Sequence, residues 1–120
     1  MKVLIVDDSM MMRRTLEMLI GGMNVEIVGT AANGRDAVAL FSQHKPDLVT
    51  LDITMPEMDG LTALKEMIKL NPNAKIIVVS ALSSKDTMVQ AMNSGAFGYL
   101  VKPVDVASLR ELMQKVQVTD

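Results

Sequence analysis

The chain contains no cysteine, and this absence excludes several kinds of chemistry. Without thiols there are no disulfide bonds, no thiolate ligands for a structural metal ion and no cysteine nucleophile. An excess of basic residues is also missing, since 12 Lys and Arg stand against 14 Asp and Glu and the formal net charge is −2. Because binding to a nucleic-acid backbone needs a basic surface, nucleic acid is not expected as a direct partner.

Long apolar runs are absent as well, and no segment approaches the ~20 apolar residues of a membrane-spanning helix. The N-terminal run MKVLIV is ended by Asp7 and Asp8, which leaves it too short for a signal peptide. At 120 residues, with 49% hydrophobic and 22% charged residues, the chain has the profile of one compact domain spanning residues 1–120. We therefore expect a single monomeric domain in the cytoplasm, with no membrane insertion.

Five short apolar runs, rich in β-branched residues, are predicted to be strands. Their near-continuous hydrophobicity is typical of strands covered on both faces, as in a parallel sheet. Segments with apolar residues at helical spacing separate them. This alternation predicts an α/β fold in which a βα unit occurs five times, with helices on both faces of a doubly wound sheet. The predicted strands are 3–6, 25–28, 48–51, 76–79 and 97–101.

Polar side chains stand at the predicted ends of four strands: Asp7 and Asp8, Asp52, Ser80 and Lys102. In an open α/β sheet the carboxyl ends of the strands lie at one edge, and ligands bind there. Clustered carboxylates repel one another unless a cation lies among them, and Mg²⁺ is the expected ion for oxygen ligands. With a hydroxyl and an ammonium group nearby, these residues predict a site that handles a phosphoryl group, with one carboxylate as nucleophile.

Four motifs, VLIVDDS, LDITMPEMDG, VVSA and YLVKP, occur in the chain in this order. In their order and spacing the chain resembles the CheY-like response regulator receiver domains over essentially its whole length. The resemblance implies a flavodoxin-like (βα)5 fold, with a five-stranded parallel sheet in the order 2-1-3-4-5. It also implies a phosphorylation-activated switch of a two-component system, which accepts and loses a phosphoryl group and is not a turnover enzyme.

The resemblance assigns a role to each acidic residue of the predicted site. Asp52 would be the aspartate phosphorylated by a histidine kinase. Mg²⁺ would be bound by the carboxylates of Asp8 and Asp52, by the backbone carbonyl of Thr54, and by Asp7 mainly through a water molecule.

The resemblance also implies how phosphorylation would reach the surface. Lys102 would pair with the phosphoryl group, Ser80 would move to hydrogen-bond it, and Tyr99 would turn inward to fill the vacated space. These movements would change a surface formed by the fourth helix, the fifth strand and the fifth helix. A cis peptide bond between Lys102 and Pro103 is a further implied feature.

The sequence leaves several output partners open. The segments DDSMMMRR and DITMPEMDG are most similar to chemotaxis regulators, which bind the flagellar motor switch; a phosphatase is a second possible partner. An alternative is an intermediate of a phosphorelay, and another is a receiver cut from a longer regulator with a DNA-binding or enzymatic domain. A phosphatase resembling the haloacid dehalogenases is a remote alternative, because that group places an acid/base Asp where this chain has Thr54.

Several other residues are interpreted without a role in catalysis. Arg13 and Arg14 are expected on a solvated helix face, and His44 at a solvated helix end. Most of the 12 methionines are expected to fill the core. Met10 and Met11, which follow the acidic pair, are candidates for the rim of the phosphorylation pocket.

Overall fold

The computed structural model describes residues 1–55 and 58–118. Pro56 and Glu57 of the LDITMPEMDG motif, and Thr119 and Asp120 at the C-terminus, lie outside the described residues. Within the described ranges, five strands alternate with five helices. The strands are β1 (Lys2–Val6), β2 (Glu26–Ala31), β3 (Leu48–Leu51), β4 (Lys75–Ser80) and β5 (Gly98–Val101). The helices are α1 (Met10–Gly21), α2 (Gly34–His44), α3 (Gly60–Leu70), α4 (Lys85–Asn93) and α5 (Val106–Val118).

The strands form one parallel sheet in the order β2-β1-β3-β4-β5, which confirms the predicted topology. β2 is the strand whose bounds differ most from the prediction. The predicted strand covers residues 25–28, whereas β2 runs from Glu26 to Ala31. β2 lies at the edge of the sheet, where half-exposed and polar residues are tolerated, and its pairing with β1 shifts register between Val3 and Leu4.

The sheet has an apolar core on each face, as expected for a doubly wound fold. α1 and α5 cover one face with Leu16, Ile20, Leu109, Met113 and Val116. α2, α3 and α4 cover the other face with Ala37, Phe41, Ala63, Leu64, Met67 and Ala91. Removing these side chains from water holds the helices against the sheet and fixes the loops at the carboxyl edge of the strands.

Side-chain caps fix the starts of all five helices. The residue that precedes each helix accepts a hydrogen bond from the backbone N–H three residues later, and these residues are Ser9, Asn33, Asp59, Ser84 and Asp105. These bonds satisfy N–H groups that have no partner within the helix. Because α1 and α3 are the next elements after β1 and β3, their caps also help to position the loops in which the acidic residues lie.

The methionines divide between core and surface. Met67 and Met113 are buried, and five others are partly buried and pack against the core, as expected for most of the set: Met1, Met12, Met23, Met55 and Met58. Met10, Met11, Met18 and Met92 are exposed. In the part of the chain that the structure describes, no helix has both the length and the hydrophobicity that crossing a membrane requires.

Candidate functional site

The carboxyl edge of the sheet brings three predicted site residues into direct contact. Asp7 follows β1, Asp52 follows β3 and Lys102 follows β5. The Lys102 Nζ atom lies 2.8 Å from Asp7 Oδ2 and 3.3 Å from Asp52 Oδ2. The peptide bond between Lys102 and Pro103 is cis, as the resemblance implies. Residues far apart in the sequence thus form one charged cluster.

Asp8 completes an acidic group with Asp7 and Asp52. One carboxylate oxygen from each of the three lies within 4.8 Å of the others. Asp7 and Asp52 are buried and Asp8 is exposed. Lys102 compensates one of these charges, so a small divalent cation at the cluster would compensate the remaining two. Oxygen ligands at this separation fit Mg²⁺, and the residues present therefore suit the ion that the sequence predicted.

The environment of Asp52 disfavours its ionised form. Burial raises the pKa of the Asp52 carboxyl group, and the negative charge of Asp7 adds to this effect. The Thr54 N–H, which donates to Asp52 Oδ1 at 3.0 Å, and the charge of Lys102 act in the opposite direction without cancelling it. For Lys102, burial alone would lower the pKa, but the hydrogen bond to Asp7 and the charges of Asp52 and Asp7 raise it. Lys102 therefore keeps its proton, whereas the ionisation of Asp52 costs free energy in the folded chain.

In metal-free buffer, Asp52→Asn should raise the melting temperature at pH 7. The raised pKa of Asp52 means that the folded chain holds the ionised carboxylate less well than the unfolded chain does, and an amide removes this cost. A change on the order of 1 kcal/mol would move the melting temperature by about 2–6 °C in a domain of this length. Thermal unfolding followed by circular dichroism in EDTA measures the shift.

The stability difference between Asp52→Asn and the wild type should increase with pH. At pH values below the ordinary pKa of 3.8, Asp52 is protonated and contributes to the stability of the folded state. This contribution to stability is lost as the pH rises through the higher folded-state pKa. The advantage of Asp52→Asn should therefore be small at pH 3.5, grow with pH and become constant above the folded-state pKa. A variant less stable than the wild type at pH 7 would contradict the direction of the pKa shift.

The loop after β3 is held close to Asp52 by a glycine. The N–H of Gly60 donates to the carbonyl of Ile53 at 3.1 Å, and a Cβ atom at position 60 would overlap the backbone of Asp52 and Ile53. Any other residue at this position would push α3 away from the end of β3. The last two residues of the LDITMPEMDG motif thus have two roles. Asp59 caps α3, and Gly60 lets the start of α3 lie against the backbone of Asp52 and Ile53. Thr54 has an exposed side chain, and it contacts Asp52 through its N–H.

Ser80 and Tyr99 are joined through the backbone of Leu82. The Ser80 hydroxyl is fully buried and accepts a hydrogen bond from the Leu82 N–H at 3.1 Å. The Tyr99 hydroxyl donates to the Leu82 carbonyl at 2.7 Å. Among the described residues, Ser80 has no direct hydrogen bond to the acidic cluster. The structure therefore places Ser80 at the same edge of the sheet, with its hydroxyl engaged by the loop between β4 and α4.

Arg13 was expected on a solvated helix face, and the structure places it differently. It is half-buried, and its Nη1 atom donates to the backbone carbonyl of Asp7 at 2.7 Å, while Arg14 is exposed as expected. A signal for this contact was present in the sequence. Arg13 stands four residues after the cap Ser9, and helical side chains lean toward the N-terminus, so a long side chain there reaches back over the helix start.

Three other residues named from the sequence lie away from the central contacts. His44 is the last residue of α2, as expected, but it is half-buried and not fully solvated. Met10 and Met11 begin α1 with exposed fractions of 58% and 79%, on the surface next to Asp8 and Ser9. Their role at the rim of the site stays a prediction.

Comparisons with known proteins show which family the chain is similar to. The model of the response regulator receiver domain family matches residues 3–114. The chain is 46% identical over 115 residues to the chemotaxis protein CheY of Thermotoga maritima, covering 96% of each chain. It is 41% identical over 125 residues to a protein-glutamate methylesterase/protein-glutamine glutaminase of Archaeoglobus fulgidus, covering 98% of this chain and 36% of that protein. The crystal structure of the CheX-CheY-BeF3-Mg+2 complex from Borrelia burgdorferi has a TM-score of 0.94 and 38% identity, over 98% of this chain and 90% of that one.

Proposed function

The chain belongs to the response regulator receiver domain family, and from this premise we propose that Asp52 is its phosphoacceptor. Receiver domains are phosphorylation-activated switches of two-component systems, take the phosphoryl group from a histidine kinase and bind Mg²⁺. The assignment of Asp52 is supported above all by the Lys102 ammonium group, which contacts both Asp7 and Asp52.

Phosphoryl transfer to Asp52 is a substitution at phosphorus. A carboxylate oxygen of Asp52 forms the new P–O bond, the P–N bond of the phosphohistidine breaks, and its electron pair returns to the imidazole of the donor. Lys102 then stands beside the oxygens of the transferred group, because it already contacts Asp52 Oδ2. The Thr54 N–H keeps the carboxyl group oriented through Oδ1.

The acidic residues prepare the site for the metal ion. Bound Mg²⁺ supplies positive charge that offsets the charge gathering at the phosphoryl group during transfer. We assign its ligands to the carboxylates of Asp8 and Asp52, to the carbonyl of Thr54 and, through water, to Asp7. Before the ion binds, Lys102 lies beside both Asp7 and Asp52 and offsets part of the repulsion between their charges.

Movement of Ser80 provides the link from the site to the surface. A phosphoryl group on Asp52 offers acceptor oxygens to the Ser80 hydroxyl. We propose that Ser80 turns toward these oxygens and leaves its hydrogen bond with the Leu82 N–H, while Leu82 is also the acceptor for Tyr99. Phosphorylation therefore changes the loop before α4 and releases Tyr99 from its present partner. The affected surface consists of α4, β5 and α5.

We propose that the output partner binds this surface and is a flagellar motor switch protein in chemotaxis. The relative from Thermotoga maritima is a chemotaxis protein, and α4 carries Val89 and Met92, each 46% exposed, next to the loop that phosphorylation changes. Val89 and Met92 stand three residues apart on one helix, so their side chains are neighbours and offer a protein partner a small continuous apolar surface. A monomer in the cytoplasm, controlled by a histidine kinase and by a phosphatase that removes the phosphoryl group, is the form of the chain that this proposal requires.

A pull-down with a flagellar motor switch protein from the same genome tests the output assignment. Beryllofluoride with Mg²⁺, which mimics the phosphoryl group, should increase the bound fraction severalfold. Met92→Glu on α4 should remove the increase, whereas the matched control Met18→Glu on α1 should keep it, since both methionines are exposed. Equal binding with and without the mimic, or a loss with Met18→Glu alone, would instead favour a relay partner that docks near α1.

Intact mass with a small phosphodonor tests the central proposal. Acetyl phosphate and Mg²⁺ should add one phosphoryl group per chain, and free phosphate should then appear slowly as the label is lost. Rapid release of phosphate from many small phosphate esters would indicate a turnover hydrolase. The relative from Archaeoglobus fulgidus carries additional length beyond its match to this chain, so a receiver that controls an attached domain is the alternative for output.

A further inference from the structure

Arg13 makes a contact that its neighbour Arg14 does not share. Its guanidinium group donates to the backbone carbonyl of Asp7 at 2.7 Å, and its side chain is half-buried, whereas Arg14 is exposed. The other polar groups of Asp7 are engaged as well. Its N–H donates to the Ala31 carbonyl at 3.0 Å, and its carboxylate accepts from the Ser9 N–H and from Lys102. Arg13 thus completes the set of bonds that fixes the backbone of Asp7.

These bonds bear directly on Asp8. The peptide bond before Asp8 contains the Asp7 carbonyl that Arg13 holds, and the peptide bond after it contains the Ser9 N–H that Asp7 Oδ1 accepts at 2.9 Å. Asp8 itself is exposed, and its side chain has no hydrogen bond within residues 1–55 and 58–118. The direction of its Cα–Cβ bond is therefore set by the two peptide bonds that flank it.

We propose that Arg13 is a positioning residue for the Mg²⁺ site and acts by holding the peptide bond between Asp7 and Asp8. With this bond fixed, the exposed carboxylate of Asp8 stays beside those of Asp7 and Asp52 before the ion arrives. Without the hydrogen bond from Arg13, Mg²⁺ binding has to order this part of the backbone. The entropy cost of that ordering lowers the affinity for Mg²⁺. The inference rests on the proposed function, since it concerns the metal ion that phosphorylation of Asp52 requires.

Charge and position make opposite predictions for the removal of Arg13. Loss of a cation near three carboxylates makes the site more negative, which by itself strengthens the binding of Mg²⁺. Loss of the hydrogen bond to Asp7 frees the backbone and weakens binding. Arg14→Ala removes the same charge from the adjacent position without touching Asp7, and so reports the effect of charge alone.

The experiment is a Mg²⁺ titration of unphosphorylated protein by calorimetry, with the wild type, Arg13→Ala, Arg13→Lys and Arg14→Ala. The Mg²⁺ dissociation constant of Arg13→Ala should rise about five- to thirtyfold, the factor that corresponds to ordering about one residue of backbone. Arg14→Ala should stay within about twofold of the wild type or bind slightly more tightly. Arg13→Lys, which keeps a donor but not the guanidinium geometry, should lie between the wild type and Arg13→Ala.

A second measurement needs neither metal nor phosphodonor. In EDTA, amide hydrogen exchange of Ser9 should be faster in Arg13→Ala than in the wild type and unchanged in Arg14→Ala. Thermal unfolding of each variant establishes that it is folded; if Arg13→Ala is not, Arg13→Lys carries the test alone. Equal Mg²⁺ affinity in the folded Arg13 variants and in Arg14→Ala would overturn the proposal. A wild type that binds Mg²⁺ but is not labelled at Asp52 would overturn the proposed function and leave the role of Arg13 in metal binding standing.

Discussion

Asp52→Asn should abolish labelling of the chain by acetyl phosphate or phosphoramidate in the presence of Mg²⁺. An amide oxygen is a far weaker nucleophile than a carboxylate, and the amide also removes one ligand from the ion. The variant should be at least as well folded as the wild type, because the raised pKa of Asp52 shows that its charge is unfavourable in the folded chain. Loss of labelling would then reflect chemistry and not unfolding. Intact mass spectrometry, followed by peptide mapping, measures the result.

Asp47→Asn is the matched control for this experiment. Asp47 is exposed and lies five residues before Asp52, just before β3, at the opposite end of the strand from the acidic cluster. Its carboxylate accepts a hydrogen bond from the Lys2 N–H and has no contact with Lys102 in the described structure. This control should be labelled to the same extent as the wild type. Persistent stoichiometric labelling of Asp52→Asn at another residue would refute the assignment of Asp52.

The fold could be predicted because its signals are local and consistent. Apolar runs of strand length alternate with segments of helical periodicity, and Asn33 and Ser84 stand where helices start. The polar residues at the strand ends could be assigned to one edge because a parallel sheet brings those ends together. The apolar run 25–28 covers only part of β2, which continues through Gly29 to Ala31, because a strand at the edge of the sheet tolerates glycine and polar residues.

The contacts that couple the site to its surroundings could not be predicted from spacing alone. The bonds of Ser80 and Tyr99 to Leu82 join a side chain to a backbone group, and a residue's type does not specify which backbone group it will meet. Burial of Arg13 is a similar case. An arginine on a helix is usually solvated, and only the position of Ser9 as the cap indicates that its side chain reaches the Asp7 carbonyl.

Lys102→Ala should leave Mg²⁺ binding largely intact and yet separate phosphorylation from the change in the output surface. The acidic cluster keeps all its carboxylates in this variant, and removal of the competing ammonium group makes the site more attractive to a divalent cation. The phosphoryl group on Asp52, however, loses the cation that fixes its orientation toward Ser80. Ser80 then keeps its hydrogen bond with Leu82, and the loop before α4 stays in its present arrangement.

Two measurements on the same protein separate these effects. Calorimetry gives the Mg²⁺ affinity, which should be equal to or higher than that of the wild type. The affinity of the labelled protein for its partner measures the coupling between phosphorylation and output. In the wild type, labelling should raise this affinity by about 5- to 150-fold, the range typical of an allosteric protein, and in Lys102→Ala this increase should be lost. Lys65→Ala, at an exposed position on α3, should change neither quantity. If labelled Lys102→Ala binds the partner as strongly as the labelled wild type, the ion pairs of Lys102 serve only to hold Asp7 and Asp52 in place, and the signal reaches Ser80 without it.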